Sequence, residues 1–293
     1  MDSEDNSVVT EHEAIDEDDG FCSISDSDRQ YIETVLQTET SLRSEADTNS
    51  VLADMWWFES ERKDSIKWIL RKRVEFEYSE HTAYLSALYL DRFLTRFQIH
   101  DAKQRVVLRI LSIACLSLAA KTEEIEAMPL GEYVGEEKYL FHLNSIKKVE
   151  LIFLETLEWR MRIATPFTFV TYFAAKFSVE CRDPQDLIRK ANHLVLSMME
   201  DTDVAKHRPS VVAAAAVLAA HDKHLSREAL GSKMDGIPFW GGVEKESTVS
   251  CYSRMQGILE LGTPESVVSH NVATAVDDSA STSRGTKRRL QFD

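Results

Sequence analysis

The chain has 293 residues, 43% of them hydrophobic, which is apolar material for about two domains, and its formal net charge is −15. Nine acidic residues and no Lys or Arg lie between Asp2 and Asp19, and removing those nine from −15 leaves −6 for residues 20–293. A net-negative chain without a cationic stripe is a poor match for DNA phosphates, the acidic start is unlike a signal peptide, and the longest apolar run, Val106 to Ala120, is too short to cross a bilayer. Neither nucleic acid nor membrane is an expected partner.

Residues 1–24 read as an acidic disordered tail. Residues 25–45 hold an N-terminal helix, with Asp26 or Ser27 as its cap and Tyr31, Ile32, Val35 and Leu36 on one stripe. Residues 46–164 begin with a polar linker and continue as helix after helix. Ile66, Ile69 and Leu70 share one face, Ala83 to Phe97 is apolar nearly all round, and Ile146, Val149, Phe153 and Leu157 stripe another helix. A helix apolar on every side must be surrounded by others, so Val106 to Ala120 is the expected hub of a bundle.

Residues 165–262 repeat the design: a helix over Phe167 to Phe177, an amphipathic one over Leu187 to Glu200, and an Ala-rich one from Val211 to Ala220 behind Pro209. A last helix spans Lys245 to Leu261. Two hub helices ending at Ala120 and Ala220 imply a duplicated helical domain, and no β-rich segment competes, so the fold class is all-α. Residues 263–293 read as a second disordered tail with a basic end.

No catalytic constellation accompanies these helices. A G-x-G-x-x-G or P-loop is absent, and His221 and His224 lack a third ligand, so no metal or other cofactor is expected. Cys22, Cys115, Cys181 and Cys251 are far apart and form no C-x-x-C pair, which suits a reducing compartment. The chain is expected to be no enzyme.

Leu90-Asp91-Arg92-Phe93-Leu94, followed by Leu116-Ser117-Leu118-Ala119-Ala120-Lys121-Thr122-Glu123-Glu124-Ile125, resembles the cyclin box, and its serine-alanine form is similar to plant D-type cyclins. The likeness extends to Arg62 and Trp68, to Val149-Glu150-Leu151 and Leu157-Glu158-Trp159-Arg160-Met161, and to the junction Thr165-Pro166-Phe167. It implies two tandem five-helix cyclin-box domains after the N-terminal helix. It also implies a non-catalytic subunit that activates a cyclin-dependent protein kinase and promotes the G1/S transition. In that family a Lys at the end of the hub helix and a Glu on the fifth helix grip the kinase. The matching residues are Lys121 and Glu150, with Leu118, Glu123, Trp159, Met161, Tyr31 and Ile32 around them. A Lys at a helix C-terminus is also favoured by the helix dipole, so Lys121 would equally cap its own helix or pair with Glu124 or Glu150. The alternative role is a cyclin-fold adaptor in transcription, whose basic face on DNA is missing from the sequence pattern.

The resemblance further implies a substrate-docking patch at Arg62, Ser65, Trp68, Leu108 and Arg109, although Glu61, Ser65 and Arg109 make it less apolar than the family norm. Kinase inhibitors and retinoblastoma-like substrates are its candidate partners. The L-x-C-x-E peptide usual near the N-terminus of D-type cyclins is absent, which marks a divergent subgroup. Lys287, Arg288 and Arg289 form a candidate nuclear-import signal, and Arg288, Leu290 and Phe292 also have the spacing of an R-x-L-x-F docking peptide. The expected localisation is nuclear and cytoplasmic.

Overall fold

The computed structural model describes residues 24–42, 56–96, 104–135, 142–177 and 183–260. The expected acidic tail up to residue 23, Cys22, Cys181, the tail from residue 261, and Lys287, Arg288 and Arg289 lie outside them.

The described residues are helical, with no strand among them. The order is α1 (Asp26–Leu42), α2 (Trp56–Glu75), α3 (Glu80–Arg96), α4 (Gln104–Glu123), α5 (Leu130–Val134), α6 (Leu143–Thr156), α7 (Phe167–Phe177), α8 (Pro184–Ser197), α9 (Thr202–Ala205), α10 (Pro209–His221), α11 (Arg227–Met234) and α12 (Gly242–Glu260). Helix α1 starts at Asp26, ahead of the start near Asp28 that a cap at Asp26 or Ser27 implies, and its first turn is closed by Ser25. That hydroxyl accepts the Asp28 N–H at 3.1 Å and donates to the Asp28 carboxylate at 2.7 Å.

Each half is built around its hub. Residues Leu111 to Ala120 of α4 are buried on every side, with α2, α3 and α6 packed against the helix. In the second half Ser210 to Ala219 of α10 are buried, and their small side chains let α7, α8 and α12 approach closely. Pro209 sits at the first position of α10, where its missing N–H costs no hydrogen bond.

Among the contacts that tie the halves together, α1 lies against α7, α3 against α8, and Arg62 of α2 reaches the Met199 carbonyl at 3.0 Å. The first contact rests on Ile32 and Leu36, both buried. Glu39 follows on α1, its two carboxyl oxygens enclosed beside Ser210 and Arg208 with no partner of hydrogen-bonding geometry. Burial pushes its pKa up to about 7, with Ser210 and Arg208 opposing the shift. Arg208 in turn faces Glu244 at the start of α12, at 3.2 Å.

Candidate functional site

Lys121 occupies the last turn of α4, and its ammonium donates to the Glu150 carboxylate of α6 at 2.7 Å. The Lys side chain is 48% exposed, whereas that of Glu150 is 11% exposed. A cation and an anion are thus fixed at the rim of the α4–α6 contact with the ammonium open to solvent. Glu124, three residues on, takes no part in this pair. It turns toward α3, where its carboxylate accepts the Ser79 N–H at 2.8 Å and the Thr82 hydroxyl. Lys121 therefore stands in an inter-helix pair with Glu150, not in a local one with Glu124.

Apolar side chains surround that pair without being covered. Ile125 and Met128 follow Lys121 in the segment after α4, Leu143 opens α6, and Leu151 and Ile152 lie further along it; all five are exposed. Sequence reasoning did not single these out as site residues. The signal was present for two of them, because Leu151 and Ile152 fall out of phase with the stripe of Ile146, Phe153 and Leu157, which is buried. Apolar side chains left in solvent beside a charged pair mark a protein-binding surface more specifically than scattered single residues do.

Beyond the end of α6 the chain turns sharply. Glu158 and Trp159 both have positive φ, 52° and 60°, and the Trp159 N–H closes back on the Leu154 carbonyl at 2.9 Å. Two successive non-glycine residues in the left-handed region cost on the order of 1–2 kcal/mol each. The result is an indole that is 67% exposed. Met161 is half-buried, and its carbonyl accepts the Tyr89 hydroxyl at 2.5 Å, which anchors the strand of chain behind Trp159 to α3.

The other residues assigned by the resemblance fall in different places. Tyr31 is exposed on α1, while Ile32 on the same helix and Leu118 on α4 are buried and serve the core. Glu123 lies 3.6 Å from the His81 imidazole, whose pKa is lowered by burial against the pull of that carboxylate.

Most residues of the expected docking patch are buried. Arg62 is 2% exposed; its guanidinium is turned inward to Asp91 and Met199, where it has no surface to offer a peptide. Ser65, Trp68 and Leu108 are also buried, because α2 and α4 press these residues together. Only Arg109 remains partly open, its guanidinium 5.1 Å above the Trp68 ring. No group of three metal-ligating side chains gathers among the described residues, and no helix there is long and apolar enough to cross a membrane.

A duplicated helical bundle with a buried hub in each half, and a charged pair at the end of the first hub, fits the cyclin fold class. Residues 30–162 match the family of the cyclin N-terminal domain and residues 164–284 that of the cyclin C-terminal domain. The chain therefore belongs to the cyclin family. Its relatives place it with the plant D-type cyclins. Cyclin-D5-1 of Oryza sativa subsp. japonica is 39% identical over 206 residues, 69% of this chain and 56% of that protein. Cyclin-D5-1 of Arabidopsis thaliana is 32% identical over 295 residues, 92% of this chain and 90% of that protein. A viral cyclin from herpesvirus saimiri shares the fold with a TM-score of 0.53 at 16% identity, over 67% of this chain and 86% of its own.

Proposed function

We propose that this chain is a non-catalytic regulatory subunit that binds the catalytic subunit of a cyclin-dependent serine/threonine kinase, activates it, and thereby promotes passage from G1 into S phase. The observation that carries the reading is the Lys121–Glu150 pair at the end of the first hub helix, 2.7 Å apart, with the ammonium open and exposed apolar side chains on both flanks. A charged pair set in an apolar surround, and desolvated only as the partner arrives, gives a partner helix both register and affinity.

Activation follows from differential binding. If the surface fits the active arrangement of the kinase better than the inactive one, association shifts the population toward it, and the kinase's own residues transfer the phosphoryl group. This chain supplies no group to the reaction. Its part is to present a rigid face, and the hub packing behind Lys121 provides that rigidity.

The test is a phosphorylation assay with purified components. The chain alone should leave a peptide substrate unmodified, and its addition to a cyclin-dependent kinase should raise the rate at least tenfold. Equal rates with and without the chain would refute the proposal.

A further inference from the structure

The segment that leaves the first hub is held more firmly than a plain connection requires. Residues 124–129 join α4 to α5, and two hydrogen-bonded ties fasten them to residues 76–82, where α2 gives way to α3. At the near end the Glu124 carboxylate accepts the Ser79 N–H at 2.8 Å and the Thr82 hydroxyl, while the Glu124 N–H closes on the Ala120 carbonyl at 2.9 Å. At the far end the Tyr78 hydroxyl accepts the Met128 N–H at 2.8 Å. That hydroxyl is itself fixed by a hydrogen bond of 2.6 Å to the Tyr133 hydroxyl of α5, and the Phe76 ring packs against both tyrosines. Glu77, at a φ of 56°, makes the turn that brings Tyr78 there, and the Arg73 guanidinium donates to the Tyr78 carbonyl at 3.0 Å.

Between the two ties stands Ile125, fully exposed. A single apolar side chain on a surface carries no message by itself, but this one has its backbone held from both sides. We propose that Glu124 is a positioning residue for kinase binding: together with Tyr78 it clamps the segment from Glu124 to Met128 and presents Ile125, already ordered, as an apolar anchor for the partner. The inference rests on the kinase-binding reading and deepens it, because it gives a task to a carboxylate that turns away from Lys121. Ordering a loose segment on contact would be subtracted from the binding free energy, so a segment ordered in advance binds more tightly through the same contacts. An acid placed here to meet the partner directly would point outward, whereas both hydrogen bonds of Glu124 aim it at the start of α3. Both donors meet the same oxygen, Oε1, so the amide oxygen of a glutamine has the chemistry to take its place.

A double-mutant cycle on the full-length chain tests it, read as affinity for a cyclin-dependent kinase by titration calorimetry. Glu124→Ala and Ile125→Ala should each weaken binding about tenfold. In the Ile125→Ala background the further change Glu124→Ala should weaken binding less than about twofold, because no anchor is left to present. Glu124→Gln should restore affinity to within about threefold of the unaltered chain. Amide hydrogen exchange on the free chain reads the clamp without the kinase. Tyr78→Phe should speed exchange at Met128, and Glu124→Ala at Ser79, each about tenfold, while the amides from Ser210 to Ala219 keep their rates. Equal losses from Glu124→Ala in both backgrounds, a Glu124→Gln chain as weak as the Glu124→Ala chain, or unaltered exchange at Met128 and Ser79 would each overturn the proposal. An unaltered chain without affinity for the kinase would overturn the kinase-binding reading and the anchor with it, and the exchange contrast distinguishes that failure from failure of the clamp.

Discussion

Arg62 and Asp91 meet in a two-point contact, Nε to Oδ1 at 2.7 Å and Nη2 to Oδ2 at 2.8 Å, with the Arg almost fully enclosed. Burial works against the guanidinium charge, and the Asp91 carboxylate more than offsets it, so the ordinary pKa is raised. The remaining nitrogen reaches across to the Met199 carbonyl, which makes this pair a joint between the two boxes.

Removing one partner of such a pair leaves the other charge buried and unpaired. Arg62→Met is expected to cost about 3–5 kcal/mol, measured as a lowered midpoint of urea unfolding. The double variant Arg62→Met with Asp91→Leu should recover a large part of that loss. If the single variant is no less stable than the double one, the joint contributes little.

Glu39 makes the seating of α1 depend on pH. Its pKa is raised to about 7 from 4.5, so the folded state holds the proton more tightly than the unfolded state does. The stability it lends is full below about pH 4.5 and is lost as pH rises through about 7, a change on the order of 3 kcal/mol. Glu39→Gln should flatten this part of the stability profile and raise stability at pH 8. Unfolding curves at half-unit pH intervals read both effects.

Trp159 is exposed, so truncation should separate binding from folding. Trp159→Ala is expected to change the unfolding free energy by less than about 0.5 kcal/mol. Its affinity for a cyclin-dependent kinase should fall at least tenfold, as for a central aromatic anchor, measured by titration calorimetry.

Much of this architecture was legible in the linear chain. The two hubs were visible because a helix apolar on all sides has a single physical solution, and Pro209 marked the start of the second. Helix α7 falls at its expected bounds, Phe167 to Phe177, with six of its residues buried. Short elements were harder to see: α5 and α9 span five and four residues, too few for a periodic signal.

At the site, the charged pair could be read once Lys121 was placed at a helix end, whereas its apolar flank was missed. The inward turn of Arg62 could not. An Arg between Glu61 and Lys63 reads as surface, and only the arrival of Asp91 from α3 and the Met199 carbonyl from beyond α8 makes its burial favourable. The same holds for Ile32 and Leu118, whose apolar side chains suit a binding face and a core equally well until the neighbouring helices are in place.

The central claim is that Lys121 and Glu150 together form the lodging point for a kinase helix. The most direct measurement is the affinity and activation of a cyclin-dependent kinase by the double variant Lys121→Glu with Glu150→Ala, with its fold checked by circular dichroism. Loss of binding by at least a hundredfold, with the helical spectrum intact, is the expected result. Undiminished binding and activation by that variant would contradict the account.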